Sequence, residues 1–255
     1  MQLTSLSWMP YRPCLLLRLP SACILLDCAV DLSPLSSFVP FSYTGSHSFS
    51  NTKTSSTKLQ LPYLKKEGDK VFVDGPFEVH PVSLLSVAVD SIDAIIVSNW
   101  MSLFALPFFT ENTAFQGTIY ATDPTVQIGK LIMEEYLTYI ELVRRDTIDD
   151  RWKNPQMFGS FSDLPSSDPR AWVQFYHRKQ MENSLSKIKR ISFRQRVDID
   201  GTATIAAYSS GYSIGSCNWV IQTENEKVCL FGLLRPCLSQ GRVMFEFSFF
   251  LKLPI

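Results

Sequence analysis

The residues with the most chemistry in this chain are three histidines, six cysteines and a polar cluster that closes a short apolar run. The run is Ala94 to Val97, led by Asp93 and closed by Ser98-Asn99-Trp100-Met101-Ser102. That closing stretch offers an amide, two hydroxyls, a thioether and an indole, with neither a histidine nor an acid. A hydrolytic metal centre needs several histidines and a bridging carboxylate. His47, His80 and His177 are far apart in sequence, and none sits at the end of this run. Solvated or core histidines are the plain reading. The sharper reading is a zinc hydrolase with unusual ligands, drawn from Asp27, His80 and His177, and it requires those residues to converge.

Cysteines stand at 14, 23, 28, 217, 229 and 237. No pair has the CxxC spacing of a zinc knuckle or a thioredoxin motif, so they read as small buried apolar residues in a reducing compartment. Basic residues cluster once: Lys187, Lys189, Arg190, Arg194 and Arg196. From Ile191 to Val197 they alternate with apolar residues, which predicts one half-exposed strand with a basic face. A solvated face is the plain reading of that cluster, and a contact with RNA phosphates is the sharper one.

The elements that must position these residues follow from periodicity and turn chemistry. Ala94–Val97 has the continuous apolar character of a buried parallel strand. Met101 to Phe109 reads as a short helix and Thr118 to Ala121 as another strand. Asp123 as N-cap and Pro124 at the first helical position open a long helix that runs to about Arg144. Its predicted core face is Ile128, Leu131, Ile132, Leu137, Ile140 and Val143, at helical spacing. The unit is an α/β crossover, which places chemistry at the carboxyl ends of its strands. Upstream, 14–19 and 23–27 read as a hairpin turning at Leu19-Pro20-Ser21-Ala22, with Asp27 a polar strand end that binds backbone amides. Downstream come a helix near 178–188, a tight turn at Asp200-Gly201, a strand over 202–208, and a last hairpin from Trp219–Gln222 and Val228–Phe231. Polar loops are expected over 33–69 and 146–168, with order resuming at Val71-Phe72-Val73.

The 255 residues carry 24 basic and 24 acidic side chains and are 45% hydrophobic. That describes a globular chain with no overall pull toward nucleic acid or an anionic membrane. The first 26 residues hold Arg12 and Arg18 and no acid, as a leader would, but Arg18 and Pro20 interrupt their apolar run, which favours the hairpin. No run approaches the roughly 18 apolar residues of a membrane span.

Two long blocks carry a family resemblance: SNWMSLFALPFFTENTAFQGTIYATDPTVQIGKLIMEE and SSGYSIGSCNWVIQ. They resemble the non-catalytic, Integrator-type branch of the metallo-β-lactamase/β-CASP family. In the active nucleases the first strand end carries His-x-His-x-Asp-His before a helix that ends Ala-Leu-Pro. Ala105-Leu106-Pro107 matches that ending, and Leu26-Asp27-Cys28 is similar to the Leu-Asp-Cys-Gly of the preceding strand. The resemblance places Asn99 and Met101 where the first two histidines stand. Tyr212 takes the place of a zinc-binding histidine after a glycine. Leu233 takes that of the bridging Asp after the last strand.

The resemblance therefore implies a degenerate metal site with no catalytic residue, no metal and no cofactor. The implied fold is α/β, a partial metallo-β-lactamase αββα sandwich without the β-CASP domain and the C-terminal half. Residues 1–230 form the first part of that domain, and 231–255 a divergent apolar tail, either an aberrant end or a strand paired to the sheet edge. The implied function is a nuclear scaffold subunit in small nuclear RNA 3′-end processing, paired with the Integrator endonuclease (subunit 11) and other Integrator subunits. Direct RNA contact would be weak, and no membrane is involved. The alternatives are a metal-dependent phosphodiester hydrolase with non-standard ligands and a truncated product without a function of its own. Exposed sheet edges are expected.

Overall fold

A computed structural model describes residues 1–7, 13–28, 30, 64–67, 70–75, 81, 87–143, 175–224, 226–231 and 249–254. The chain divides into two units. The first comprises 1–30, 80–135 and 176–255, and the second 31–79 and 136–175. The strands of the first unit are β1 (Gln2–Ser5), β2 (Leu15–Arg18) and β3 (Cys23–Leu26), then β6 (Ala94–Ile96) and β7 (Thr118–Thr122). They continue with β8 (Ile188–Ile191), β9 (Arg196–Ile199), β10 (Ala203–Ser209), β11 (Cys217–Gln222), β12 (Glu226–Phe231) and β13 (Phe249–Pro254). Strands β4 (Leu64–Glu67) and β5 (Lys70–Val73) form an antiparallel hairpin in the second unit. β4 thus falls inside the stretch expected to be loop. The remainder of that loop, with His47 and His80, and the loop over 146–168 lie outside the described residues.

Two sheets build the first unit. One has the order β1-β2-β3-β6-β7-β8 and the other β13-β12-β11-β10-β9. The predicted hairpin is β2–β3, closed by Leu19 N–H donating to Ala22 O at 2.7 Å. β6 lies parallel between β3 and β7, as its continuous apolar character predicts. Alternation along the strands decides which side chains meet. Ile24, Leu26, Ala94, Ile96 and Tyr120 share one buried cluster with Val197, Ile205, Ala207, Cys217, Trp219 and Ile221 of the second sheet. The other face of the first sheet carries Leu16, Leu25, Ile95 and Ile119, all buried. That is the pattern of strands joined by helical crossovers.

Between β6 and β7 run α1 (Trp100–Leu103) and α2 (Leu106–Thr110), and after β7 comes α3 (Asp123–Val143). α3 departs from expectation twice. Its buried residues include Val126, Gly129, Met133, Leu137 and Ile140, whereas Leu131 is 64% exposed. The reason is Gly129: a side chain there would meet Leu103 Cδ1, so the hydrogen is what admits α1. A hydrophobicity count passes over a glycine, and the predicted face was rotated for that reason. The helix also begins at Asp123 rather than after it. The Asp123 carboxylate accepts from Gln127 Nε2 at 2.6 Å and from Arg190 Nη1 at 2.8 Å.

The segment read as one strand over 191–197 is two. β8 (parallel to β7) ends at Ile191, a turn over Ser192–Gln195 follows, and β9 opens in the other sheet. Gln195 N–H donates to Ser192 O at 3.1 Å, and Ser192 N–H donates to Gln195 Oε1 at 2.9 Å. Pattern alone reads through such a turn because it contains neither glycine nor proline. The turn at Asp200-Gly201 is as expected, with both residues at positive φ (47° and 69°). Helix α4 (Arg178–Ser186) precedes β8. In the tail, 232–248 lie outside the described residues, and Phe249–Pro254 pairs antiparallel with β12. Its side chains lie outside the described residues.

Leu103 is fully buried in this account and Leu131 is not. Leu103→Ala is expected to cost about 2–5 kcal/mol, and Leu131→Ala within about 0.5 kcal/mol of nothing. Urea unfolding of the two variants checks the assignment, and comparable losses would show the helix face to be wrong.

Candidate functional site

Three strand ends and one loop converge at the carboxyl edge of the first sheet. β3 delivers Asp27 and Cys28, β6 delivers Ser98 and Asn99, β7 delivers Thr122, and the β10–β11 connection delivers 210–216. Asp27 is wholly buried and sits at a φ of 56°. Such left-handed backbone is uncommon outside glycine and persists only where surroundings hold it. Here Asp27 N–H donates to Ile96 O at 2.8 Å, while the side chain turns toward Ser98. Ser98 N–H donates to Asp27 Oδ1 at 2.7 Å, and Ser98 Oγ donates to Oδ2 at 2.6 Å. Burial pushes the Asp27 carboxyl above the usual carboxylate range, with the Ser98 hydrogen bonds acting the other way. The expected role for Asp27, a strand-end acid that binds backbone amides, is the one it fills.

Ser98 also reaches the second sheet. Its carbonyl accepts from Cys217 N–H at 2.9 Å, and Val97 O accepts from Trp219 Nε1 at 3.2 Å. The 210–216 loop is clamped by its own serines. Ser216 Oγ donates to Ser213 O at 2.8 Å and accepts from Ser213 N–H at 2.8 Å, with Ser210 Oγ 2.8 Å away. Thr122 Oγ1 then donates to Gly215 O at 2.6 Å and lies 2.9 Å from the Thr125 hydroxyl. Gly215, at a φ of 83°, rests against the first turn of α3, where a methyl group would fall 2.7 Å from Thr125 Oγ1. This position needs glycine for both its backbone and its lack of a side chain.

The positions that the resemblance placed at former metal ligands now have surroundings. Asn99 caps α1: its Oδ1 accepts from Met101 N–H at 2.9 Å and from Ser102 N–H at 3.3 Å. A cap uses the lone pairs that a metal would need. Met101 and Tyr212 are half-buried. A thioether and a neutral phenol are poor partners for zinc. Leu233 lies outside the described residues. Among the described residues the donor set therefore does not fit a hydrolytic metal centre. His177 is exposed at the head of α4, where its N–H donates to Gln180 Oε1 at 2.8 Å, while Asp27 is sealed against Ser98. Among the described residues, no group of three or more His, Cys, Asp or Glu is placed to hold a metal. Cys14, Cys28 and Cys217 are buried, and Cys28 Sγ donates to Ser102 O at 3.1 Å. Burial pushes the Cys28 and Cys217 thiols well up, as befits inert core cysteines.

The basic cluster is dispersed by the crossing between sheets. Lys187 Nζ bonds Glu111 Oε1 at 2.7 Å and Thr110 O at 2.8 Å. Arg190 pairs with Asp123, and Lys189 Nζ lies 5.8 Å from the centre of the Tyr120 ring. Arg194 lies within the turn and Arg196 opens β9 beyond it. Sequence reasoning missed the clamped serine loop, and Gly211 and Gly215 were its one visible signal. Among the described residues no helix is long and apolar enough to cross a membrane.

A profile of the metallo-beta-lactamase superfamily domain matches residues 73–231. The chain is 36% identical over 237 residues to human Integrator complex subunit 9, covering 89% of this chain and 36% of that protein. It is 35% identical over 176 residues to the Integrator complex subunit 9 homolog of Dictyostelium discoideum, covering 62% of this chain and 25% of that one. Cleavage and polyadenylation specificity factor subunit 3 of the same organism is 23% identical over 181 residues, covering 66% and 20%. The chain thus spans about a third of the length of the curated Integrator relatives (36% for the human protein). Among solved structures, the Rm3 metallo-beta-lactamase aligns with a TM-score of 0.36 at 10% identity, covering 84% of this chain and 52% of that one. That likeness is too weak to bear on function.

Removing the Asp27 carboxylate strands the Ser98 N–H and hydroxyl in a buried place. Asp27→Ala is expected to cost about 3 kcal/mol. Because the folded carboxyl titrates above the unfolded one, ionisation opposes folding. Relative to Asp27→Asn, the native chain should lose stability as pH rises from about 4 through the folded pKa, then level off. Urea midpoints across that range check the sign, and a relative gain with pH would contradict it.

Proposed function

The chain belongs to the metallo-β-lactamase superfamily, and from that membership we propose that it is a non-catalytic scaffold subunit of the Integrator type. In this reading it pairs with the Integrator endonuclease, subunit 11, within a nuclear complex that processes small nuclear RNA 3′ ends. It cleaves nothing itself. The observation that carries the proposal is Asn99. At the strand end where the family resemblance puts the first ligand, this side chain caps α1 and offers its oxygen to two backbone amides. Phosphodiester hydrolysis on this fold needs metal-activated water, and Asn99, Met101 and Tyr212 supply no ligand set to generate it.

Similarity supports the same direction. Identity to the Integrator relatives is 34–36% across most of the chain, against 23% for the cleavage and polyadenylation factor subunit. The hydrolase alternative would draw on Asp27, His80 and His177, of which His80 lies outside the described residues. Asp27 is fully committed to Ser98, and His177 is exposed at the start of α4. A scaffold needs surfaces held in fixed shape rather than a reactive centre, and the clamped 210–216 loop supplies one such feature.

The test is co-expression of the tagged chain with the Integrator endonuclease subunit, followed by metal analysis and an RNA-cleavage assay of each species. The expected outcome is a stable pair, with zinc and cleavage traceable to the endonuclease alone. Stoichiometric zinc on this chain purified alone, or metal-dependent cleavage by it, would reject the scaffold reading, as would failure of the folded chain to pair.

A further inference from the structure

The turn over Ser192–Gln195 and the strands beside it place four exposed residues close together along the backbone, and neither fold nor scaffold role uses them. Arg194 N–H donates to Ala207 O at 2.8 Å, setting Phe193 and Arg194 beside Ala207 and Tyr208. Arg196 pairs in register with Ala206. Along β10, Ala203, Ile205 and Ala207 enter the core between the sheets, so Tyr208 stands on the opposite face. Along β9, Val197 and Ile199 enter the same core, so Arg196 shares the face of Tyr208. Tyr208 is 41% exposed and Phe193 40% exposed, and both arginines are exposed. Arg194 is held at a φ of 67°, a conformation uncommon for arginine, by the self-bonded turn around it.

The charge here is unspent, unlike that of Lys187 and Arg190. Lys187 and Arg190 are each neutralised by an acid, whereas no ion pair of Arg194 or Arg196 exists among the described residues. The nearest acid in sequence, Asp198, shares the exposed face of β9 with Arg196, and its Oδ2 is turned to the hairpin end, where it accepts from Gly201 N–H at 2.6 Å.

We propose that Phe193, Arg194, Arg196 and Tyr208 form a platform for single-stranded RNA. The two rings stack on bases and the two guanidiniums meet backbone phosphates. Aromatic faces accept any unstacked base, and adjacent guanidiniums supply the phosphate contacts that hold the strand in place. Bases paired in a duplex present no free face, so the platform discriminates against duplex. The inference concerns the isolated chain and does not depend on pairing with an endonuclease.

The test is fluorescence anisotropy of the full chain with a labelled oligouridylate of about 12 nucleotides, titrated over a range of salt concentrations. Two phosphate contacts predict a slope of log affinity against log salt near −1.4, lost in Arg194→Ala/Arg196→Ala. Tyr208→Ala should weaken binding roughly tenfold and Tyr208→Phe should retain it, since stacking needs the ring and not the hydroxyl. Arg190→Ala, whose guanidinium is already paired, should leave affinity unchanged. Urea midpoints matching the parent chain establish that each variant is folded. Absence of binding at low salt, equal affinity for a duplex of the same length, or unchanged affinity in folded Tyr208→Ala would each overturn the proposal.

Discussion

Ser98 is bonded through its N–H, its hydroxyl and its carbonyl, and the first unit is organised around that fact. Its N–H and hydroxyl are taken by Asp27 from β3, and its carbonyl by the amide of Cys217 from β11. One residue at the end of the central parallel strand therefore ties two strands of its own sheet and anchors the facing sheet. The bonds are buried, so each is expensive to leave unmade. The apolar cluster shared by the sheets supplies the driving force for packing. It cannot choose a register on its own, because many pairings of two apolar faces bury similar area. The polar junction at Ser98 discriminates among them.

The same geometry makes this strand edge a structural one among the described residues. A strand end in this fold gathers side chains from several elements onto one small region, which is what a metal centre needs. Here those positions turn inward. Asn99 closes the first turn of α1, Asp27 closes onto Ser98, and the serines at 210, 213 and 216 bond one another. The polar groups at this edge satisfy backbone amides and hydroxyls through short-range hydrogen bonds, with the buried Ser213 hydroxyl the exception.

How much of this was legible beforehand depended on whether the determining interaction was local. The strands at Leu15–Arg18, Cys23–Leu26 and Ala94–Ile96 and the turn at Asp200-Gly201 follow from apolar runs and turn residues. The role of Asp27 as an amide-binding strand end was legible too. The buried face of α3 was not, because it is set by the fit of Leu103 against Gly129, a contact between residues 26 apart in sequence. The crossing at Ser192–Gln195 was hidden because Gln195 closes the turn with its side chain, where pattern reading looks for glycine or proline. The basic residues are accordingly shared between two strands of different sheets and the turn between them, with Lys187 and Arg190 paired to acids.

The measurement that bears most directly on the central claim is thermal unfolding of the purified chain in excess zinc and in chelator. A native-state metal site raises Tm as zinc saturates it, by the linkage between binding and folding. The account, in which hydrogen bonds and not a metal hold the strand ends, predicts the same Tm in both. A Tm that climbs with zinc and saturates at stoichiometric occupancy would contradict it.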